Sequence, residues 1–83
     1  MPTYFFHLTS RGDYVEDEEG IDLPDLEAAR CEMIATARDL VLEGLQSGDV
    51  NLNDEIEVAD DGGQVLMTVK LGKAIGLTGR VLH

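Results

Sequence analysis

The chain has 83 residues, 17 acidic and 6 basic, for a formal net charge of −11, and 43% of its residues are hydrophobic. That length builds one small domain with a modest core, which excludes a two-domain protein and an enzyme with a large enclosed cleft. So acidic a surface repels phosphate and argues against nucleic-acid binding, and the mix of charged and apolar residues argues against wholesale disorder.

Met1-Pro2-Thr3-Tyr4 carries neither a basic region nor a hydrophobic signal core. From Thr3 the chain alternates, with Tyr4, Phe6 and Leu8 on one side and Phe5, His7 and Thr9 on the other, the period of a strand. Ser10-Arg11-Gly12-Asp13 is a turn, and Tyr14-Val15-Glu16-Asp17 is a short second strand. A two-residue loop at Arg11-Gly12 sets Leu8 opposite Val15 and His7 opposite Glu16.

Glu18-Glu19-Gly20 ends that strand, and Ile21-Asp22-Leu23 runs extended into Pro24, which keeps Leu23 out of the helical region. Asp25 then suits an N-cap with Glu27 in the first turn, and a helix is expected from Leu26 to Gln46, closed by Gly48 in the left-handed position. Leu26, Ala29, Met33, Ala37, Leu40 and Val41 form its main apolar stripe. Ile34, Leu42 and Leu45 make a second apolar flank, Cys31 falls away from the stripe, and Glu32, Asp39 and Glu43 form an acidic one. Gly44 lies near the main stripe, where close packing would offset its helix cost of about 1 kcal/mol.

After a polar loop over residues 49–54, Glu55–Ala59 alternates again, with Ile56 and Val58 on one face. Asp60-Asp61-Gly62-Gly63 is a hairpin turn, and Gln64–Lys70 follows with Val65, Met67 and Val69 on one face and Leu66 on the other. A loop at Asp61-Gly62 pairs Val58 with Val65; one at Gly62-Gly63 pairs Val58 with Met67 and Glu55 with Lys70. Both keep apolar opposite apolar, so the hairpin is expected in either register. The tail from Gly72 fits a helical turn, a swapped strand or disorder.

The expected fold is α+β, ββαββ, with an antiparallel four-stranded sheet and one long helix packed on one face, over residues 1–71, followed by a basic glycine-containing tail over 72–83. The helix would cover Tyr4, Phe6, Leu8, Ile56, Val58, Val65, Met67 and Val69. The opposite face, with Phe5, His7, Thr9, Glu57, Leu66 and Thr68, would have no cover.

Met1-Pro2-x-Tyr4-Phe5-Phe6-His7 resembles the opening of a family of small uncharacterised proteins found mostly in alphaproteobacteria such as the rhizobia. Asp17-Glu18-Glu19-Gly20 and Leu23-Pro24-Asp25-Leu26-Glu27-Ala28-Ala29-Arg30 resemble its next two blocks. Ile56-x-Val58-x-Asp60-Asp61-Gly62, followed by Val65-Leu66 and Val69, is similar to its last. The resemblance covers residues 1–70 and implies a bacterial source and a domain of unknown function, without assigning any chemistry. The segment after Leu71 departs from the family pattern. A looser likeness to HicB-type antitoxins, in the β-meander and acidic turn before a helix, is one of fold, and the chain lacks their DNA-binding segment.

Charge is unevenly spread: residues 1–61 hold every acid and three bases, a net of −14, whereas residues 62–83 hold Lys70, Lys73 and Arg80 and no acid, a net of +3. The tail is expected to fold back on the acidic body or on that of a second copy. The densest run, Glu16, Asp17, Glu18 and Glu19, reads either as a dock for a basic partner or as a solvated edge whose charge blocks edge-to-edge pairing. Asp49, Asn51, Asn53 and Asp60 fall at calcium-loop spacings, but Asp54 stands where that loop needs glycine, and ordinary loop usage explains the same residues. His7, opposite Glu16, reads as a cross-strand pair on a half-exposed face or as a proton-sensitive contact. A Cys31–His7 dyad would need the two on one face, and a passive thiol is the simpler reading. No phosphate loop, CxxC, HExxH or Ser-His-Asp pattern occurs, and no apolar run is long enough to span a membrane.

The expected function is therefore a non-enzymatic, cytoplasmic interaction module without cofactor that self-associates as a homodimer. Its contacts would be Phe5, His7 and Leu66 on the open face, or the Ile34 and Leu45 helix flank. The alternatives are an acidic regulator that neutralises a basic protein, in the manner of an antitoxin or nucleic-acid mimic, and a cation-binding protein.

Overall fold

The computed structural model describes the backbone of residues 1–81 and the side chains of residues 1–76; His83 and the Arg80 side chain lie outside the described residues. In chain order the elements are β1 (Thr3–Ser10), β2 (Asp13–Val15), β3 (Ile21–Asp22), α1 (Leu26–Ser47), β4 (Glu55–Ala59), β5 (Val65–Lys70) and α2 (Leu71–Val81). Every strand pairing is antiparallel, in the order β2-β1-β4-β5, with β3 also paired to β1. β2 and β4 share Leu8 and Thr9 as partners, so they lie on opposite sides of β1. β3, whose extended course was expected but whose partner was not, takes Thr3 and Tyr4.

The first hairpin has the register set by a two-residue loop, with Leu8 opposite Val15. Arg11 and Gly12 both have positive φ, 52° and 86°, the primed-turn geometry that matches strand twist. The strand expected over Tyr14–Asp17 instead spans Asp13–Val15. Glu16 therefore leaves the ladder before it can pair with His7, and the chain turns away to form the loop described below.

The second hairpin resolves the choice of register: Glu55 faces Lys70 and Val58 faces Met67. Nearer the turn a bulge intervenes between Val58 and Ala59, and Ala59 pairs with Val65. The turn explains it. Gly63 donates to the Asp60 carbonyl at 3.1 Å with φ 85°, the left-handed residue that three-residue hairpin loops place at a bulge. One extra residue reverses the faces beside it. Leu66, expected on the open face with Phe5 and His7, packs against the core. Val65, expected beneath the helix, shares the face of Ala59 and Phe5 and is 47% exposed.

α1 starts where Asp25, with extended φ and ψ, accepts a hydrogen bond from the Ala28 N–H at 2.9 Å, and it ends at Gly48 with φ 75°. Ala29, Met33 and Ala37 are its buried residues, and they meet Tyr4, Ile56 and Val58 from the sheet. Leu26, expected in the stripe, is largely exposed at the first turn. The three small or flexible side chains let α1 lie close to the sheet. Gly44 does the same for the loop that follows: a Cβ there would lie 2.9 Å from Val50 Cγ2 and 3.0 Å from the Asp49 carbonyl.

The tail forms α2, which continues directly from β5 and packs on α1. Its first N–H groups are satisfied by the preceding loop: Leu71 donates to the Asp54 carbonyl at 2.8 Å and Gly72 to that of Leu52 at 3.1 Å. Leu71 and Ala74 complete the core, flanked by Ile34, Leu40 and Val41. Both helices thus lie against the face that carries Tyr4, Ile56 and Val58, and the Phe5 face is left open.

Candidate functional site

The open face is built on β1. Phe5 pairs with Ala59 and His7 with Glu57, which directs both rings away from the helices. His7, expected half-exposed, is only 8% exposed. Phe5 stacks beside it with ring centroids 6.4 Å apart, and Tyr14 lies tilted on its other side at 5.5 Å. Tyr14 is fixed in turn: it sits opposite Thr9, and its hydroxyl donates to Glu57 Oε1 at 3.1 Å. Desolvation, this hydrogen bond and the charges of Glu57 and Glu16 push its phenol above the usual tyrosine value.

The expected His7–Glu16 pair is replaced by a contact with the next residue. His7 Nδ1 accepts the Asp17 backbone N–H at 3.0 Å, so the ring proton of this arrangement is on Nε2. The Asp17 carboxylate then ties the loop to β1. Its Oδ2 accepts the Phe6 N–H at 3.1 Å, and its Oδ1 accepts those of Glu19 at 3.1 Å and Gly20 at 3.2 Å. Burial raises the carboxyl, but the backbone donors from Phe6, Gly20 and Glu19 outweigh it and hold Asp17 below the usual value. Gly20 lets the chain pass over β1: at φ 72°, a Cβ there would lie 2.7 Å from Thr3 Cγ2 and 2.9 Å from Phe5 Cε2. Asp17, expected with its acidic neighbours either to dock a basic partner or to form a solvated edge, is a structural tie.

These elements enclose an open pocket of about 410 Å³. Phe5 and His7 make its floor, Glu16, Asp17 and Glu18 one wall, and Asp60, Asp61 and Gly63 the other. The walls belong to the loop after β2 and the turn after β4, on either side of β1. Among the described residues no Lys or Arg lines the pocket, and the ion pairs are Arg11–Asp49 and Arg30–Glu27, so no described Lys or Arg neutralises the pocket carboxylates. Asp60 is half committed to its own turn, its Oδ1 accepting the Gly62 and Gln64 N–H groups at 3.0 and 2.9 Å. Glu16, Glu18 and Asp61 are exposed.

Other expected site residues lie elsewhere. Glu19 contributes its backbone N–H to Asp17 and does not line the pocket. Leu66 and Ile34 are packed against the core, and Leu45, 64% exposed on α1, belongs to the other side of the sheet. The calcium-loop set does not assemble. Asp49 pairs with Arg11 near the Ser10 end of β1, Asn51 Oδ1 accepts the Asn53 N–H, and Asp60 stands near the Phe5 end. Those ends are about 17 Å apart at strand rise. Among the described residues no group of three or more His, Cys, Asp or Glu side chains is placed to hold a metal ion. Cys31 is free and exposed on α1, behind the sheet from His7.

The sequence reading missed Tyr14 and Asp61 as members of this site. The Leu8–Val15 register already placed Tyr14 on the His7 face, whereas Asp61 reaches Phe5 through the β1–β4 pairing, which no local pattern encodes. Among the described residues no helix is long and apolar enough to cross a membrane. Comparisons with curated proteins and with solved structures gave no significant match. The family described as a domain of unknown function, DUF6894, matches residues 3–72, from the first residue of β1 to the start of α2, and the chain belongs to that family.

Proposed function

We propose that the protein is a non-enzymatic interaction module whose open sheet face binds a basic protein in the cytoplasm. The observation that carries this reading is the carboxylate rim around the Phe5 and His7 floor, which no described Lys or Arg neutralises. Opposite charge attracts over the Debye length and steers encounter, and the aromatic floor supplies apolar contact once a partner is seated. The test is chromatography of a basic protein over the immobilised chain with a salt gradient. Elution at moderate salt, with affinity falling steeply as salt rises, is expected; salt-insensitive binding would refute the reading.

Self-association is a second reading, and it rests on Leu42 and Leu45, which α1 leaves exposed. It draws no support from Leu66 or Ile34, because the core uses both. A mass by light scattering that stays monomeric over a hundredfold rise in concentration would remove it.

A further inference from the structure

We propose that the pocket over Phe5 and His7 receives the side chain of a single arginine from an extended basic segment of the partner. The inference rests on the reading of the open face as a contact surface and assigns the chemical group that face recognises. Charge gives the first argument. Carboxylates stand on both sides of the floor, Glu16 and Glu18 on one and Asp60 and Asp61 on the other, with no Lys or Arg among the lining residues. A guanidinium presents donors along several edges of one plane, so it meets opposed carboxylates together, and its flat face stacks on an aromatic ring such as Phe5. A lysine ammonium holds its water more strongly and has no face to stack. A metal ion fits worse, since no three ligating side chains among the described residues converge.

The second argument is independent of charge. His7 is more than nine-tenths buried and lines the pocket, yet only its Nδ1 has a hydrogen-bond partner, the Asp17 N–H. The ring's Nε2 is not a buried orphan; it keeps access to solvent at the pocket, where a ligand acceptor can take the place of water. A backbone carbonyl next to the bound arginine supplies that acceptor, and this is why the occupant is a peptide segment and not a free small cation.

The test uses the full chain, ¹⁵N-labelled, titrated with tetra-arginine amide and with tetra-lysine amide at low salt. Two double variants remove the same charge: Glu18→Gln with Asp61→Asn in the pocket, and Asp39→Asn with Glu43→Gln on the exposed side of α1. The expected result is saturable binding that shifts the amides of Phe5, His7, Gly62 and Gly63. The pocket variant should weaken it about fivefold more than the helix variant, the scale of two lost contacts between exposed charges. Tetra-lysine should bind severalfold more weakly. Equal weakening by both variants, or equal affinity for the two peptides, would overturn the proposal. Saturable shifts confined to Val65 and Thr68 would also overturn it while leaving the contact face intact. Absence of any saturable site on the sheet face would remove both.

Discussion

Replacing Gly20 by alanine tests whether the loop carrying the acidic wall is seated on β1 as tightly as the geometry requires. Two costs combine. At φ 72° an alanine occupies the left-handed region, a penalty of about 1 kcal/mol. Its Cβ would also lie 2.7 Å from Thr3 Cγ2 and 2.9 Å from Phe5 Cε2, inside van der Waals contact. Overpacking of that kind costs about 2 kcal/mol. The sum, about 3 kcal/mol, lowers the melting temperature of a domain this size by roughly 12–24 °C. Gly12→Ala supplies the control, because Gly12 has φ 86° and nothing within 4 Å of a Cβ. It should lose only the backbone part, roughly 4–8 °C. Thermal melts by circular dichroism measure both. If the two variants melt together, the overlap at Gly20 is relieved without cost and the loop is not seated on Phe5 as described.

Asp17→Asn should destabilise the fold by about 2 kcal/mol at neutral pH, since it weakens acceptance from three backbone donors. Because the folded carboxyl lies below its usual value of 3.8, its contribution is complete well above that pH and is lost as pH falls through the lowered value. Urea unfolding of parent and variant should therefore differ at pH 7 and converge near pH 2; a gap independent of pH would refute the assignment. Gly44→Ala should destabilise by about 1 kcal/mol or more despite the gain in helix propensity, because the Asp49 carbonyl at 3.0 Å is backbone and has little room to move. A more stable variant in chemical denaturation would contradict that contact. Asp25→Ala should remove about 1 kcal/mol by leaving the Ala28 N–H without its cap, measured the same way.

Local chemistry explains what the sequence disclosed. Asp25 and Gly48 bound α1 because capping depends on residues a few positions apart, and Arg11-Gly12 fixes the first register for the same reason. Alternation assigned Tyr4, Phe6, Ile56 and Val58 to one face correctly. It failed at Val65 and Leu66, where a bulge shifts the period by one, and the residue that demands it, Gly63, was visible only as one of two consecutive glycines. The pocket was illegible as a unit. Its walls are brought together by β1–β4 pairing and by the Asp17 carboxylate, and hydrogen bonds from a side chain to distant backbone leave no periodic trace. The sequence leaves α2 as one of three readings of the tail for a related reason: its glycines weaken helix propensity, and the packing of Leu71 and Ala74 compensates.

The partner of β1 arrives late. Phe5–Thr9 pair with Glu55–Ala59, so β1 waits during synthesis for a strand that follows the whole of α1. At roughly 5–20 residues per second on the ribosome, that interval lasts several seconds. During it the Tyr4, Phe6 and Leu8 stripe has only the short β2 and β3 beside it, and α1 has no complete sheet to pack on. The entropy of closing so long a loop must be met before any β1–β4 contact forms, which makes the native sheet a late and cooperative product of the entire chain. A polypeptide interrupted before Ala59 would carry the aromatic strand uncovered, and its fate would be capture by chaperones or aggregation, with no smaller folded unit on which to fall back.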